Sequence, residues 1–100
     1  MDQLFNLLGL AKRAGKIVLG QTTLDAILKK KVHLLFIAND ASDNTIKRYT
    51  DKANSYKIAY SLEFNSEYLS NAIGSYNNMV IGITDVGFAD RFKELLRKRV

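Results

Sequence analysis

Apolar residues follow two alternating patterns along this chain: helical spacing and short continuous runs. At the start, Leu4, Leu7 and Leu8 recur every three or four residues, which predicts a helix over about residues 2–14 that ends at Gly15. The continuous runs, each bounded by polar or glycine residues, predict strands. The predicted strands are residues 17–19, 32–38, 57–61 and 79–84, and the later helices start at Thr22 or Thr23, at Asp40 or Ser42, at Ser66 and before Phe88.

Helices and strands alternate throughout, in the order α-β-α-β-α-β-α-β-α. This alternation is typical of α/β proteins and predicts a central mixed, largely parallel sheet of about four strands with helices on both faces. In such sheets, ligands bind beyond the carboxyl ends of the strands. The residues expected there are Gly20–Thr23, Asn39–Ser42 and the pair Thr84 and Asp85.

Length and composition predict a single domain over residues 1–100. The chain has no cysteine, which excludes disulfides and cysteine-based metal sites and fits a reducing cytoplasm. No apolar run reaches the roughly 18 residues of a membrane span, and the basic residues near the N-terminus follow the apolar ones, the reverse of a signal peptide. We therefore expect a cytoplasmic monomer without a membrane partner.

The net charge of +5 is unevenly distributed. Residues 1–31 carry six Lys or Arg against two Asp, whereas residues 63–90 carry four acidic residues and no basic one. Three of the lysines, Lys29–Lys31, end the second predicted helix, where cations complement the helix dipole. The distribution predicts a basic face, the usual footprint of nucleic-acid binding, although small soluble proteins often carry extra lysines.

Patterns for catalysis and metal binding are weak. His33 is the one histidine and lies in an apolar run, which favours a packed side chain over a catalytic or metal-binding one. Gly15 and Gly20 have the spacing of a phosphate loop, but Gln21 and Thr22 follow where that loop needs Lys and then Ser or Thr. We therefore predict no catalytic residue, no metal and no cofactor.

The residues around Gly20 suit an anionic, hydrogen-bonding partner. Glycine lets a backbone approach a phosphate closely, and the helix that follows offers free N–H donors. The polar side chains that follow it can hydrogen-bond bases or sugar hydroxyls, and Tyr76 can stack on an unpaired base. The cations that can neutralise phosphates nearby in sequence are Lys12, Arg13 and Lys16.

Several motifs carry a resemblance to a known family. GKIVLG, a following helix with Thr-Leu and Ile, and LLFIAND are similar to motifs of the small ribosomal proteins of archaea and eukaryotes that bind kink-turn RNA, the L7Ae and L30e class. LLGLAKRAGK, NDASDNT and ITDVGFA resemble the bacterial YlxQ branch of that class. The resemblance covers nearly the whole chain. It implies a three-layer α/β/α sandwich that holds RNA by three elements meeting at one end.

The same resemblance locates departures from the family pattern. Strong RNA-binding members follow the glycine with x-Asn-Glu-x-x-Lys, whereas this chain has Thr22, Thr23 and Ala26 at those positions in a helix one residue shorter. The family glutamate accepts hydrogen bonds from guanine edges, and a threonine hydroxyl is a shorter and weaker acceptor. The acidic turn NDAS and the helix ending at Gly74 agree with the family, but the polar loop SYNN replaces a hydrophobic one.

Two hypotheses for the function follow. The first is a non-enzymatic RNA-binding protein, associated with the ribosome or translation, that recognises kink-turn-like structured RNA; its partners would be ribosomal, non-coding or leader RNA, and translation factors. The second is a protein-interaction module of the same fold that has lost specific RNA recognition. The predicted RNA-binding residues are Lys12, Arg13, Lys16, Gly20, Gln21, Thr22, Thr23, Asn39, Asp40, Gly74, Ser75, Tyr76 and Asn77.

Overall fold

A computed structural model describes residues 2–98 of the chain, so Arg99 and Val100, at the end of the predicted basic terminus, lie outside the described residues. Helices and strands alternate in the predicted order. The helices are α1 (Gln3–Arg13), α2 (Gln21–Leu28), α3 (Asp43–Ser55), α4 (Ser66–Ile73) and α5 (Val86–Arg97), and the strands are β1 (Ile17–Leu19), β2 (Leu34–Ile37), β3 (Ala59–Ser61) and β4 (Val80–Ile83).

Short polar side chains begin most of these helices by accepting a hydrogen bond from the first helical turn. The capping residues are Asp2 for α1, Ser42 for α3, Asn65 for α4 and Asp85 for α5. The start of α2 differs, because its cap is Gly20 and no side chain accepts a hydrogen bond there. The predicted caps Thr22 and Thr23 are therefore wrong, since both lie inside the helix.

The strand order is β1-β4-β2-β3, and the sheet is mixed, as predicted. It is only partly parallel: β2 pairs with β3 in parallel, whereas β4 is antiparallel to both β1 and β2. Thus β1, β2 and β3 run in one direction, and β4, which lies between β1 and β2, runs in the opposite direction. The reason is that the segment containing α4 and the following loop begins and ends near the carboxyl end of β2, with Ser66 bonded to Asp40 and Met79 bonded to Ala38. The chain therefore enters β4 from the end at which β3 leaves.

Alternating side chains of the sheet separate the core into two layers. Leu34 and Phe36 of β2 pack with α1, α4 and α5, whereas Leu35 and Ile37 pack with α2 and α3. All four residues are buried, so β2 is the central strand covered on both faces that its continuous apolar run predicts. The structure thus confirms the three-layer α/β/α sandwich. In the described part of the chain, no helix has the length and apolar content of a membrane span.

Gly82 in β4 sets how closely α2 can lie on the sheet. A Cβ atom at this position would lie 2.8 Å from Val18 Cγ2, 3.2 Å from Thr23 Cγ2 and 3.3 Å from Val32 Cγ2. Because real Cβ atoms do not approach other carbons at 2.8 Å, the bare backbone of Gly82 is what leaves room for the Val18 side chain, and the Thr23 side chain of α2 lies close against the same bare backbone. The position of α2, and with it the turn at Gly20, depends on this contact.

We predict that Gly82→Ala lowers the free energy of unfolding by roughly 1–3 kcal/mol, because the added methyl group overpacks the layer beneath α2. Urea denaturation measures the change. The matched variant is Val18→Ala combined with Gly82→Ala, which removes the nearest atom. Its loss should be smaller than the sum of the two single losses. Strict additivity would show that the contact at Gly82 is not tight.

Candidate nucleic-acid interface

Three connections meet at one end of the sheet, which we term the Gly20 end. Its residues are Gly20–Thr22, Asn39–Asp40 and Gly74–Asn77. The register fixes this arrangement, since Leu19 pairs with Ile81 and Ile37 pairs with Val80. Because β4 lies between β1 and β2, the ends of those two strands are about 10 Å apart, with the start of β4 between them. Thr84 and Asp85 were predicted here, but the reversal of β4 places them at the other end.

That other end, which we term the Lys16 end, holds most of the cations that the sequence predicted beside Gly20. The amide of Thr84 donates to the carbonyl of Lys16 at 3.0 Å, so Lys16 lies where β1 begins and β4 finishes. Lys12 and Arg13 end α1 just before it. Three strand residues, roughly 13 Å of extended chain, separate Lys16 from Gly20. The structure therefore does not bring Lys16 together with Gly20. The guanidinium of Arg13 instead lies beside the last turn of α4, since Arg13 Nη1 and the Ala72 carbonyl both approach Gly9.

The turn at Gly20 has a backbone conformation that favours glycine. Its φ is 54° and ψ is −135°, and no other atom of the described part of the chain lies within 4 Å of where a Cβ would be. The surface in front of Gly20 is therefore open, and the glycine is required by conformation rather than by packing. Two groups hold its carbonyl: the amide of Thr23 at 3.0 Å and the hydroxyl of Tyr49 at 3.4 Å.

Tyr49 is a positioning residue that sequence reasoning missed. The spacing of α3 predicted it only as part of an apolar stripe, and it is indeed buried. Burial raises the pKa of the Tyr49 hydroxyl, which Arg48 opposes only in part, so the hydroxyl stays protonated and can donate to Gly20. The residue type could have indicated this role, because the hydroxyl of a buried tyrosine usually forms a hydrogen bond.

The side chains that follow Gly20 divide into exposed and buried ones. Gln21 and Thr22 are exposed at the start of α2. Thr23 is completely buried against Gly82, and its hydroxyl has no hydrogen-bond partner among residues 2–98, so it has no surface with which to reach a ligand. Ala26, one turn later, is also buried. The prediction that Thr23 hydrogen-bonds RNA therefore fails, because this position of α2 faces the sheet.

The second element, at Asn39 and Asp40, is tied to the start of α4. The carboxylate of Asp40 accepts hydrogen bonds from the Ser66 amide at 2.8 Å and the Ser66 hydroxyl at 2.7 Å. These bonds hold the pKa of Asp40 below its ordinary value of 3.8. The amide of Asn39 donates to the Phe64 carbonyl, while the Asn39 side chain is exposed. Asp40 thus fixes the turn, and Asn39 presents its side-chain amide to solvent.

The third element is the loop between α4 and β4. Gly74 ends α4 in the left-handed conformation, with φ of 69°, and the Ser75 amide donates to the Ser70 carbonyl at 2.9 Å. Farther on, the Ser70 hydroxyl accepts from the amide of Asn78. Between these anchored points, Tyr76 is 89% exposed. A loop held at both ends therefore presents an aromatic ring to solvent.

Comparison with known proteins identifies the family. Residues 2–93 match the family of ribosomal proteins described as L7Ae/L30e/S12e/Gadd45. The chain belongs to this family. It is 41% identical over 92 residues to the RNA-binding protein YlxQ of Enterococcus faecium, covering 91% of this chain and 88% of that protein. It is 40% identical over 93 residues to the RNA-binding protein YlxQ of Bacillus subtilis (strain 168), covering 92% and 93% respectively.

Two solved structures share this fold. A Bacillus halodurans protein of unknown function superposes with a TM-score of 0.91 at 33% identity, covering 97% of this chain and 99% of that one. The Giardia lamblia 15.5kD RNA binding protein superposes with a TM-score of 0.79 at 18% identity, covering 98% and 88%. At that lower identity, the likeness shows a shared fold. The resemblance that the sequence motifs predicted is thus confirmed.

We predict that Asp40→Asn removes an acid-dependent part of the stability. Since the folded pKa of Asp40 is depressed, its contribution is fully present above about pH 4 and is lost as pH falls through the folded pKa. The variant should therefore melt at a lower temperature near pH 7 and lose less stability than the wild type on acidification below pH 4. Thermal melts followed by circular dichroism across this range measure both effects. Asp25→Asn, on an exposed residue beyond the first turn of α2, is the matched control.

Proposed function

We propose that this L7Ae-family protein is a non-enzymatic protein that binds structured RNA at the Gly20 end. The observation that carries the proposal is the convergence of three polar, open connections on one end of the sheet: Gly20–Thr22, Asn39–Asp40 and Gly74–Asn77. The names of the two relatives at 41% and 40% identity support RNA as the ligand. A binding function needs no catalytic group at this end.

Backbone and side chains at the Gly20 end offer complementary contacts to RNA. The first amides of α2 have no capping side chain, and helix N-termini of this kind bind phosphates. Gln21, Thr22 and Asn39 expose groups that can hydrogen-bond sugars and base edges.

We further propose that the preferred RNA is kinked, with at least one unpaired base, and belongs to the ribosome or the translation machinery. The exposed ring of Tyr76 supports this, because an aromatic side chain can stack on a base only when that base is free of its own stack. Thr23 and Ala26 are buried where strong family members carry Glu and Lys. Guanine edges would therefore contribute little, and the shape of the RNA would contribute most of the selectivity.

A second candidate, a protein-interaction module without specific RNA recognition, is favoured by one observation. The residues that define the Gly20 end include no Lys or Arg, and the family positions for Glu and Lys are filled by buried side chains. Affinity capture with and without nuclease separates the two candidates. Partners that are lost on nuclease treatment support RNA binding, whereas partners that remain support the interaction module.

We predict that Tyr76→Ala weakens binding to a kink-turn RNA by roughly 5- to 150-fold, the equivalent of about 1–3 kcal/mol for one stacked base. The fold should be unaffected, because the ring is exposed. Fluorescence anisotropy with a labelled RNA measures the change. Tyr60→Ala is the matched control, since Tyr60 is 38% exposed on β3, outside the Gly20 end. If the two substitutions changed the RNA affinity equally, Tyr76 would not be part of the binding site.

The kink-turn proposal is tested by a competition between two RNAs of equal length, one with a kink-turn and one a plain duplex. We expect the kink-turn RNA to bind at least tenfold more tightly at physiological salt, because only it offers an unpaired base. Both affinities should fall as salt rises. Equal and weak affinities for the two RNAs would contradict specific recognition and leave only nonspecific electrostatic binding.

A further inference from the structure

The Lys16 end contains a cleft that the RNA proposal does not use. It has a volume of about 620 Å³ and opens between the α2–β2 connection, the α3–β3 connection and the start of α5. Its apolar part includes Val32, Ile58 and Ala89, all buried, and its polar rim carries Lys30, Lys57 and Lys93. A cleft of this size and mixed lining is typical of sites for small ligands.

The rim of the cleft has an excess of unpaired positive charge. Lys30, Lys57 and Lys93 are exposed, and among the residues that the structure describes none of them forms an ion pair within 4.0 Å. Asp90 is the acidic residue in the lining. Half-buried Tyr56 supplies a ring at the wall. These side chains suit a ligand that has an anionic group attached to an apolar or aromatic group.

Two of these lysines occupy backbone positions that favour glycine. Lys30 has a φ of 60° and follows the end of α2, and Lys57 has a φ of 57° and follows the end of α3. At both ends the next residue donates back into the helix, from Lys31 to Ala26 at 2.9 Å and from Ile58 to Ala53 at 2.8 Å. This is the arrangement in which helices usually end on glycine, because a Cβ is unfavourable at positive φ.

The helix dipoles do not explain why lysine occupies positions 30 and 57. Lys29 and Lys31 flank Lys30, and Lys52 lies in the last turn of α3, so each helix end has a cation without using the left-handed residue. Lysine at both left-handed positions costs backbone stability and places two ammonium groups on one cleft. Strained residues of this kind cluster at binding sites.

We propose that this cleft binds a nucleotide unit, with its phosphate held by Lys30, Lys57 and Lys93 and its base or ribose against the apolar wall. The three ammonium groups match a phosphate dianion, and the ring of Tyr56 with the buried aliphatic side chains matches a planar base. Asp90 can accept a hydrogen bond from a ribose hydroxyl or a base amine. The unit is either a free mononucleotide or one nucleotide of a single-stranded RNA.

The variant Lys30→Gly combined with Lys57→Gly tests the proposal, because it removes two cations and relaxes both backbone positions. We expect the affinity for AMP, GMP and UMP, measured by isothermal titration calorimetry, to fall roughly tenfold or more. The melting temperature should stay the same or rise. Lys93→Gln, on the exposed face of α5, should also weaken binding. The matched control is Lys47→Gln, an exposed cation of α3 paired with Asp51, and it should change nothing.

Two arms distinguish the source of the nucleotide. A single-stranded eight-nucleotide RNA is titrated into Tyr76→Ala, which weakens the Gly20 end, with and without the two glycine substitutions. If the RNA binds more tightly than any mononucleotide and loses that affinity on the glycine substitutions, the ligand is an RNA strand. If the RNA binds no more tightly than a mononucleotide, the ligand is a free nucleotide. Absence of binding by both the mononucleotides and the eight-nucleotide RNA, or equally tight binding by the double variant and the protein without the glycine substitutions, would overturn the proposal. Kink-turn binding by the double variant tests the Gly20 end separately.

Discussion

The antiparallel pairing of β4 with both β1 and β2 is the constraint on which the other features depend. Because β4 runs against its neighbours, the chain that enters it lies between the chains that leave β1 and β2. The α4–β4 loop therefore lies between the turns at Gly20 and Asn39. A parallel β4 would put that loop at the far end of the sheet and leave Tyr76 away from both turns. The backbone hydrogen bonds of one buried strand thus assemble the candidate interface.

The same pairing separates two kinds of chemistry. Amides, hydroxyls and an exposed aromatic ring collect at the Gly20 end, whereas Lys16, Lys30 and Lys57 lie at the Lys16 end with the ammonium-rich cleft. Contacts between elements hold the first end in shape. Tyr49 of α3 bonds to the Gly20 carbonyl, Asp40 bonds to Ser66 of α4, and Gly82 lets α2 approach the sheet. Each of these residues acts on the surface by positioning another residue.

Local sequence patterns predicted the elements well and their spatial pairing less well. Apolar periodicity and turn residues gave β1 and α4 at their observed bounds and α1 to within a residue or two, because caps and spacing are local properties. The direction of β4 depends on partners more than 40 residues away in sequence, and helix–strand alternation alone favours a parallel crossover. The cluster of Lys16 with Gly20 failed for a local reason, since the strand predicted at residues 17–19 already separates the two residues along the sheet.

Burial decided the remaining differences at the site. Thr23 is polar and stands near a helix start, so its sequence position indicates a cap, yet it faces Gly82 across the layer beneath α2. Asp40 was predicted to contact RNA, but its carboxylate is occupied by Ser66. The exposed residues Gln21, Thr22, Asn39 and Tyr76 were predicted from sequence, since residue type and loop position determine them locally. Which polar residue faces the ligand and which faces the protein required the three-dimensional packing.

The most direct test of RNA binding at the Gly20 end is a titration of the isotopically labelled protein with a kink-turn RNA, followed by NMR chemical-shift mapping of the assigned backbone amides. We predict that the largest shifts fall together on Gly20–Thr22, Asn39 and Gly74–Asn77, with small shifts at Lys12 and Lys16. Shifts that are concentrated at the Lys16 end, or that spread evenly over the surface without a maximum at the Gly20 end, would contradict the assignment of this interface.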